Sequence, residues 1–373
     1  MILHLVHDEK IINRTISIFE EVAPEQNLFV VFTRHQLKHV TPQSNVILFQ
    51  DFEKKYKSKD FSFVIVHFLN SRKMRFINKY LDKNLPVYWI IWGNDTYNKM
   101  LYPRGFELYD KESSYYKNIK KSFIGVFFNK IFNHFKTKRI ENFILKRIDY
   151  IVTETTENDY DILIEYYPKL KIKPWREFFY YPIEIILGDT LMQKHAEGNN
   201  IQIGNSASIT NNHEYAMRFL SKLNLGERKV IVPISYSGNE EYKKTVKTKG
   251  KEYFGVNFIA LEKFLPLQEY NQLMLSTNVA IYGNFRQEAV GNILISLYLG
   301  AKVFIPKTNP IYSWAQNLGL TIYELEKISQ KDIDEPLDDA LRENNRNILK
   351  KMYNKERLKN LIEKSFLNTT YTH

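Results

Sequence analysis

Short apolar runs recur along this chain, and most are followed by a polar turn and then a stretch with helical periodicity. "ILHLV" at 2–6 leads into a loop, "HDEKI", and a helix-like segment at 12–22. "NLFVVF" at 27–32, "NVILF" at 45–49, "FSFVIVHF" at 61–68 and "LPVYWIIW" at 85–92 continue the pattern, with "RKMRFINKYL" reading as helix. Runs of four to eight β-branched and aromatic residues alternating with helical stretches specify parallel strands joined by helical crossovers. Such strands are covered on both faces, so they read as continuous apolar blocks.

The pattern loosens around "PKLKIKPW" and "EFFYYPIEIILGD", and the polar piece "QKHAEGNN" at 193–200 is the best candidate linker. A second series then begins: "IQIG", "KVIVP", "NFIAL", "NVAIYG" and "KVFIP", five strands in all, each with a helix or loop after it. The Lys- and Asn-rich stretch 338–366 reads as terminal helix. The expected fold class is therefore α/β, with two Rossmann-like domains facing a cleft. The expected division is 1–192, 199–335 and a terminal helical segment at 336–373. In doubly wound sheets ligands sit beyond the carboxyl ends of the strands. GT-B glycosyltransferases and some sugar-nucleotide epimerases share this architecture, and the architecture alone does not choose between them.

Composition narrows the chemistry. There is no cysteine, which excludes disulfides, thiolate nucleophiles and Cys-ligated zinc and suits a reducing cytoplasm. No apolar run approaches bilayer-spanning length, and "MILHLV" does not resemble a signal peptide. The 53 Lys and Arg against 42 Asp and Glu leave a net charge of +11, which suits a polyanionic partner. G-x-G-x-x-G, Walker A, H-E-x-x-H and G-x-S-x-G are all absent, so dehydrogenase, kinase, zinc protease and α/β-hydrolase chemistries drop away. No D-x-D stands out as a metal site, and no metal or cofactor is expected.

Three strand ends in the second series carry glycine or polar residues suited to an anion. At the first, Gly204, Asn205 and Ser206 form a turn before a helix entered near Asn212 and His213. Glycine permits close backbone approach, and a helix N-terminus favours negative charge. The second holds Tyr236, which suits stacking on a base or sugar. The third is "IYGNFRQEAVGNILI", where Phe285, Arg286 and Gln287 precede a helix whose first turn contains Gly291 and Asn292. A glycine inside a helix costs roughly 1 kcal/mol, so it asks for a reason. Each of these features also has an ordinary structural explanation, as a cap, a packing tyrosine or a solvated residue. In the first half, Trp92, Gly93, Asn94 and Asp95 follow a buried strand, and His67 and Asp8 lie at two other strand ends. Asp95 is the candidate general base or substrate-positioning residue, although an aspartate there can equally cap the next helix.

The stretch 115–147 contains, from Lys117 onward, nine Lys or Arg and one acid, with Phe123, Phe127, Ile131 and Phe135 recurring every four residues. A basic, aromatic amphipathic helix suits an anionic membrane surface, and an ordinary packed surface helix is the competing explanation. No nucleic-acid motif accompanies the charge.

The blocks "YWIIWGNDTY", "IGNSASITNNH", "VPISYSGNEEY" and "LPLQEYNQLMLSTNVAIYGNFRQEAVGNILI...GAKVFIPKTNPIYSW" together resemble glycosyltransferase family 56. The likeness is clearest over 200–315 and 86–97, with weaker echoes at His67, at Asn13, Arg14 and Thr15, and at Tyr181 and Pro182. That family comprises TDP-N-acetylfucosamine:lipid II N-acetylfucosaminyltransferases of enterobacterial common antigen assembly. The resemblance implies a metal-independent GT-B enzyme. A TDP-sugar donor would be bound by the second domain, at Gly204, Asn205, Ser206, Asn212, His213, Tyr236, Phe285, Arg286, Gln287, Gly291 and Asn292. The first domain would bind a polyprenyl-diphosphate-linked glycan through Asp8, His67, Trp92, Gly93 and Asn94, with the enzyme peripheral on the inner leaflet, facing the cytoplasm. A sugar-nucleotide epimerase and a non-catalytic glycan-binding protein are the alternatives.

Overall fold

A computed structural model describes residues 1–118, 123–154 and 158–368, with side chains described for all of these except 117–118, 123–132, 134, 190, 267 and 268. The chain divides into two compact units.

The first unit comprises Met1–Phe106, Phe127–Tyr180 and Glu356–His373. Its strands are β1 (Ile2–Val6), β2 (Asn27–Val31), β3 (Val46–Leu48), β4 (Phe63–His67), β5 (Val87–Ile90), β6 (Tyr150–Thr153) and β7 (Trp175–Glu177). They form one parallel sheet in the order β3-β2-β1-β4-β5-β6-β7. Strands β1, β2, β4 and β5 are buried at every position. The helix Ser71–Tyr80 starts where the Asn70 side chain accepts the backbone N–H groups of Arg72 and Lys73, and it buries Lys73, Met74, Phe76 and Ile77. The last segment belongs here because Phe366 is buried against Phe19, Tyr88 and Phe178, and Arg357 makes a two-pronged ion pair with Glu177.

The second unit comprises Glu107–Val126 and Tyr181–Lys355. Its strands are β8 (Asn200–Ile203), β9 (Val230–Pro233), β10 (Phe258–Leu261), β11 (Thr277–Ile281), β12 (Lys302–Ile305) and β13 (Tyr323–Glu324), parallel and ordered β10-β9-β8-β11-β12-β13. From β8 the chain builds outward to β9 and β10, then returns to add β11 on the other side. The strand order therefore reverses between β8 and β11.

The structure departs from the sequence-based expectation in four places. The second sheet has six strands, because the two-residue β13 is too short to register as an apolar run. β6 and β7 extend the first sheet into the region where the periodicity loosens. The division between units falls at Tyr180 and Tyr181 rather than at 193–200. The helix Ile183–Met192 belongs to the second unit, where Asn271 donates to the Ile186 carbonyl and the Ile183 N–H to that of Tyr353. The stretch 338–366 is broken into Asp339–Met352, Lys355–Ile362 and a wider turn at Glu363–Leu367. Asn354 stops the first by donating to the carbonyls of Lys350 and Lys351.

Candidate active site

In the second unit, the carboxyl ends of β8 and β11 lie side by side at the strand-order reversal, where doubly wound sheets bind ligands. Gly204 has φ +69°, and a Cβ there would lie 2.7 Å from Asn211 Oδ1 and 2.9 Å from His213 Nε2. Only glycine fits this turn. Asn211 braces it, accepting from the Asn205 N–H at 3.0 Å and donating to Ser206 Oγ at 3.3 Å. Asn212 is itself in the left-handed region (φ +45°), and its amide donates to the carbonyls of Leu108 and Gly283 and accepts from the Asp110 N–H. Asn212 is thus a structural clamp at the start of the helix His213–Leu220.

His213 is fully buried, not solvated. The Tyr242 hydroxyl receives the His213 backbone N–H at 3.4 Å and lies 3.0 Å from Nδ1. Burial lowers the ring's pKa to about 3, so the imidazole is neutral. Where the Tyr242 hydroxyl donates to Nδ1, the ring proton sits on Nε2. That Nε2 has no partner and is directed at the Gly204 turn. Asn284 Oδ1, Asn205 Oδ1 and Gln202 Oε1 are also buried without partners. Buried polar groups normally find a partner, so these four atoms around one strand junction are groups that a ligand could bond.

The other residues expected here divide in two. Tyr236 is 44% exposed, its hydroxyl accepts from Asn205 Nδ2 at 3.1 Å, and its ring lies 6.4 Å from that of exposed Phe264. Two open aromatics beside the turn make a stacking platform. Arg286 is buried and partly paired: its guanidinium contacts Glu288 Oε2 at 3.1 Å and the Gln287 carbonyl at 2.7 Å, while its Nε is buried without a partner. Phe285 packs edge-on against Tyr215, and Gln287 is buried in the same loop. Gly291 finds its reason in packing, since a Cβ would come within 3.2 Å of the Tyr181 ring, and Asn292 beside it is half-buried. Glu288 was missed by the sequence reading. It gathers Thr210, Asn284 and Arg286 at 2.6–3.1 Å and so ties the β11 loop to the turn after β8.

In the first unit the strand ends carry a different kind of network. Asp95 is 2% exposed. Its Oδ2 accepts from the Leu69 N–H and Trp89 Nε1–H, both at 2.8 Å, and its Oδ1 from the Trp92 N–H at 3.0 Å. Burial raises its pKa, against the opposing pull of these donors. Asp95 holds two strand-end loops together, which is a positioning geometry. Asp8 likewise spends its carboxylate on the N–H groups of Lys38, His39 and Val40. Gly93 provides a positive φ of 73° that turns the chain into the helical segment Asn94–Leu101, and Asn94 is exposed.

His67 and Trp92 meet through Tyr180, another residue the sequence reading missed. Asn27 donates through Nδ2 to the carbonyls of Phe19 and Ala23, which turns its Oδ1 toward His4 Nε2 at 3.2 Å. The proton of His4 is then on Nε2, and its Nδ1 accepts from His67 Nε2 at 3.2 Å. His67 Nδ1 accepts from the Tyr180 hydroxyl at 2.6 Å, which in turn accepts from Trp92 Nε1 at 2.7 Å. Every member has one consistent role. Burial lowers His4 to about 3 and His67 well below its ordinary value.

Lys73, fully buried, follows the same logic. Asn70 Oδ1 is taken by two helix N–H groups, so its Nδ2 faces His7 Nε2 at 2.9 Å. The His7 proton therefore lies on Nδ1, 3.0 Å from Lys73 Nζ, whose own N–H groups go to the carbonyls of His67 and Phe68. Burial lowers the Lys73 amine well below its ordinary pKa.

Among the described residues no group of three or more His, Cys, Asp or Glu is arranged to hold a metal ion. No helix among them is long and apolar enough to cross a membrane. The expected stripe at Phe123, Phe127 and Ile131 lies outside the described side chains, whereas Phe135 is 67% exposed.

A family profile described as 4-alpha-L-fucosyltransferase, glycosyl transferase group 56, matches residues 143–356. The chain belongs to glycosyltransferase group 56. Among solved structures it is similar to Anabaena HepE in complex with UDP and glucose, with TM-score 0.65 and 10% identity over 99% of this chain and 100% of that one. It is equally similar to sucrose-phosphate synthase from Thermosynechococcus elongatus, with TM-score 0.65 and 9% identity over 98% of each chain. A Burkholderia multivorans trehalose 6-phosphate synthase follows at TM-score 0.57 and 7% identity, covering 97% of this chain and 95% of that one. At such identities the likeness speaks for the fold, which is GT-B. The group 56 protein is a glycosyltransferase of the hexosyl-transferring class.

Proposed function

We propose that this glycosyltransferase moves a 4-acetamido-4,6-dideoxyhexose of the N-acetylfucosamine type from a TDP-sugar to a polyprenyl-diphosphate-linked glycan. It would do so at the inner face of the cell membrane, in the assembly of a surface polysaccharide. The observation that carries the donor assignment is the unpartnered Nε2 of His213 beneath the Gly204 turn, at the junction of β8 and β11. In the tautomer with its proton on Nε2, the neutral imidazole would donate to a diphosphate oxygen without first being protonated. As the sugar departs, negative charge grows on that diphosphate, and a fixed buried donor stabilises it. Asn205 and Ser206 flank the same turn, and Tyr236 and Phe264 offer a platform for base or sugar. HepE, which shares the fold, was solved with UDP, and this supports a nucleoside diphosphate as the ligand proposed here. Asp95 acts as a positioning residue, holding Trp92 at the end of β5 where the acceptor is received. The TDP-sugar and lipid-linked glycan are supported by the order and spacing of the sequence blocks shared with the family.

The test is calorimetric titration of the protein with TDP, UDP, GDP and CMP, followed by a transfer assay with the preferred nucleotide's sugars. Selective TDP binding is expected, as is sugar release only when acceptor is present. Preference for UDP or GDP overturns the donor, and brisk release of free sugar without acceptor points to a sugar-nucleotide epimerase instead.

A further inference from the structure

A hollow in the first unit lies on the helix Ser71–Tyr80, away from the strand-end networks described above. It is a groove of ≈ 590 Å³ lined by the helix Ser71–Tyr80, the turn after it and the last turns of the helix Phe123–Arg147. Met74, Leu81 and Phe143 give it an apolar floor, and Arg75, Lys83, Arg139, Lys146 and Arg147 ring it, with no acid in the lining. Among the described residues, the side chains of Arg75, Lys83, Arg139 and Lys146 make no ion pair. Arg147 is 9% exposed; its terminal nitrogens donate to the carbonyls of Lys83 and Asp82, at 2.7 and 2.9 Å, while its Nε is buried without a partner. A buried arginine with an unmet donor, among four unneutralised cations over an apolar floor, is a receptor for an amphiphilic anion.

The helix itself says which anion. Phe135 lies on the same face as Arg139, Asn142 and Lys146, at successive helical turns, and is 67% exposed. An exposed phenylalanine one turn beyond a cationic groove suits an acyl layer below a phosphate layer. A nucleic acid would use the cations and leave the apolar floor of Met74, Leu81 and Phe143 unused.

We propose that this groove binds the phosphate headgroup and upper acyl chain of an anionic phospholipid, docking the first unit on the bilayer with Phe135 inserted. The proposal rests on the membrane-surface reading above and is independent of the donor nucleotide. Charge complementarity and the exposed aromatic favour the bilayer as the source of the anion.

The experiment is flotation of the full chain with vesicles of phosphatidylcholine alone and of equimolar phosphatidylcholine and phosphatidylglycerol. Three variants are compared: Arg75→Gln/Arg139→Gln/Lys146→Gln in the groove, Lys244→Gln/Lys251→Gln/Lys331→Gln elsewhere on the surface, and Phe135→Ser. The two triple variants lose the same charge. The wild type and the distant triple variant are expected to float with the anionic vesicles only. The groove variant should bind roughly a hundredfold more weakly, since each cation near an anionic surface contributes about a factor of five. Phe135→Ser should reduce binding by a smaller factor. Equal binding by the two triple variants overturns the proposal. So does single-stranded oligonucleotide binding that is lost in the groove variant and unaffected by Phe135→Ser, without vesicle binding. Nucleotide titration of the groove variant should match the wild type, so failure of the donor assignment and failure of lipid docking are read separately.

Discussion

Both sheets end in polar networks at the carboxyl ends of their strands, yet the two networks are built differently. In the first unit the strand-end groups identified above are matched: Asp95 and Asp8 each accept from three donors, His67, His4 and His7 use both ring nitrogens, and Lys73 has three partners. At the β8–β11 junction of the second unit, His213, Asn205, Asn284 and Gln202 each keep a buried atom unmatched. A matched network fixes loop positions and resists change. An unmatched one carries a desolvation cost that a ligand relieves. The matched groups named in the first unit therefore serve as a scaffold, and the unmatched ones in the second are those the proposed donor site would use.

The comparison breaks most easily under acid. His4 and His7 have folded pKa values lowered to about 3, chiefly by burial, and His67 is lowered well below its ordinary value. In the unfolded chain each binds its proton near 6.5, so between about 6.5 and 3 the unfolded state holds more protons. The stability they permit is complete above 6.5 and is lost as pH falls through that window, by about 1.4 kcal/mol per pH unit for each histidine. Asp95, raised by burial, offsets a part of this. The second unit has His213 and the more exposed His195 to lose. Amide exchange in β4 is expected to rise before exchange in β8 as pH is lowered. Simultaneous loss would show that the histidine networks do not set acid stability.

Next in size is Asp95→Asn. An amide nitrogen must replace one carboxylate oxygen, turning at least one buried N–H acceptor into a donor facing a donor. A cost of about 3 kcal/mol is expected in urea unfolding, together with loss of transfer. Were Asp95 a general base free of structural duty, transfer would collapse while the unfolding midpoint held. Gly204→Ala sharpens the other side. The left-handed backbone costs roughly 1–2 kcal/mol for alanine, and the new methyl presses on Asn211 and His213. Nucleotide affinity should fall more steeply than stability if the displaced atoms face the donor as proposed.

How much of this could be read from the sequence follows from the same contrast. Strands long enough to bury both faces were legible, as was the turn at Gly204, because glycine before small polar residues at a strand end has a local cause. The matched network was not. Lys73 sits in "RKMRFINKYL", where lysine ordinarily marks the wet face, although its spacing from Phe76 and Ile77 places it on the buried one. Tyr180 follows a three-residue edge strand, and its partners lie 113 and 88 positions away. Arg286 and Gly291 were visible as unusual residues, but their partners, Glu288 and the Tyr181 ring, are set by packing that no local pattern carries. Glu288 stood beside Arg286 in the sequence, and nothing local distinguished it from a solvated acid.

The smallest expected effect on stability is also the most discriminating. His213→Asn puts an amide near the position of Nδ1, where it retains a bond to Tyr242, and removes Nε2 altogether. In the free protein Nε2 has no partner, so deleting it forfeits no hydrogen bond. The cost is the space it leaves, about 1 kcal/mol or less once the relief of an unsatisfied buried nitrogen is counted. With nucleotide bound the balance changes, because a hydrogen bond to a charged phosphate is worth roughly 1.5–3 kcal/mol. Calorimetric affinity for the preferred nucleoside diphosphate should therefore fall by about tenfold to a hundredfold, while the urea midpoint hardly moves. Unchanged affinity would place the diphosphate away from the Gly204 turn, and a large fall in stability would make His213 part of a scaffold like that of the first unit.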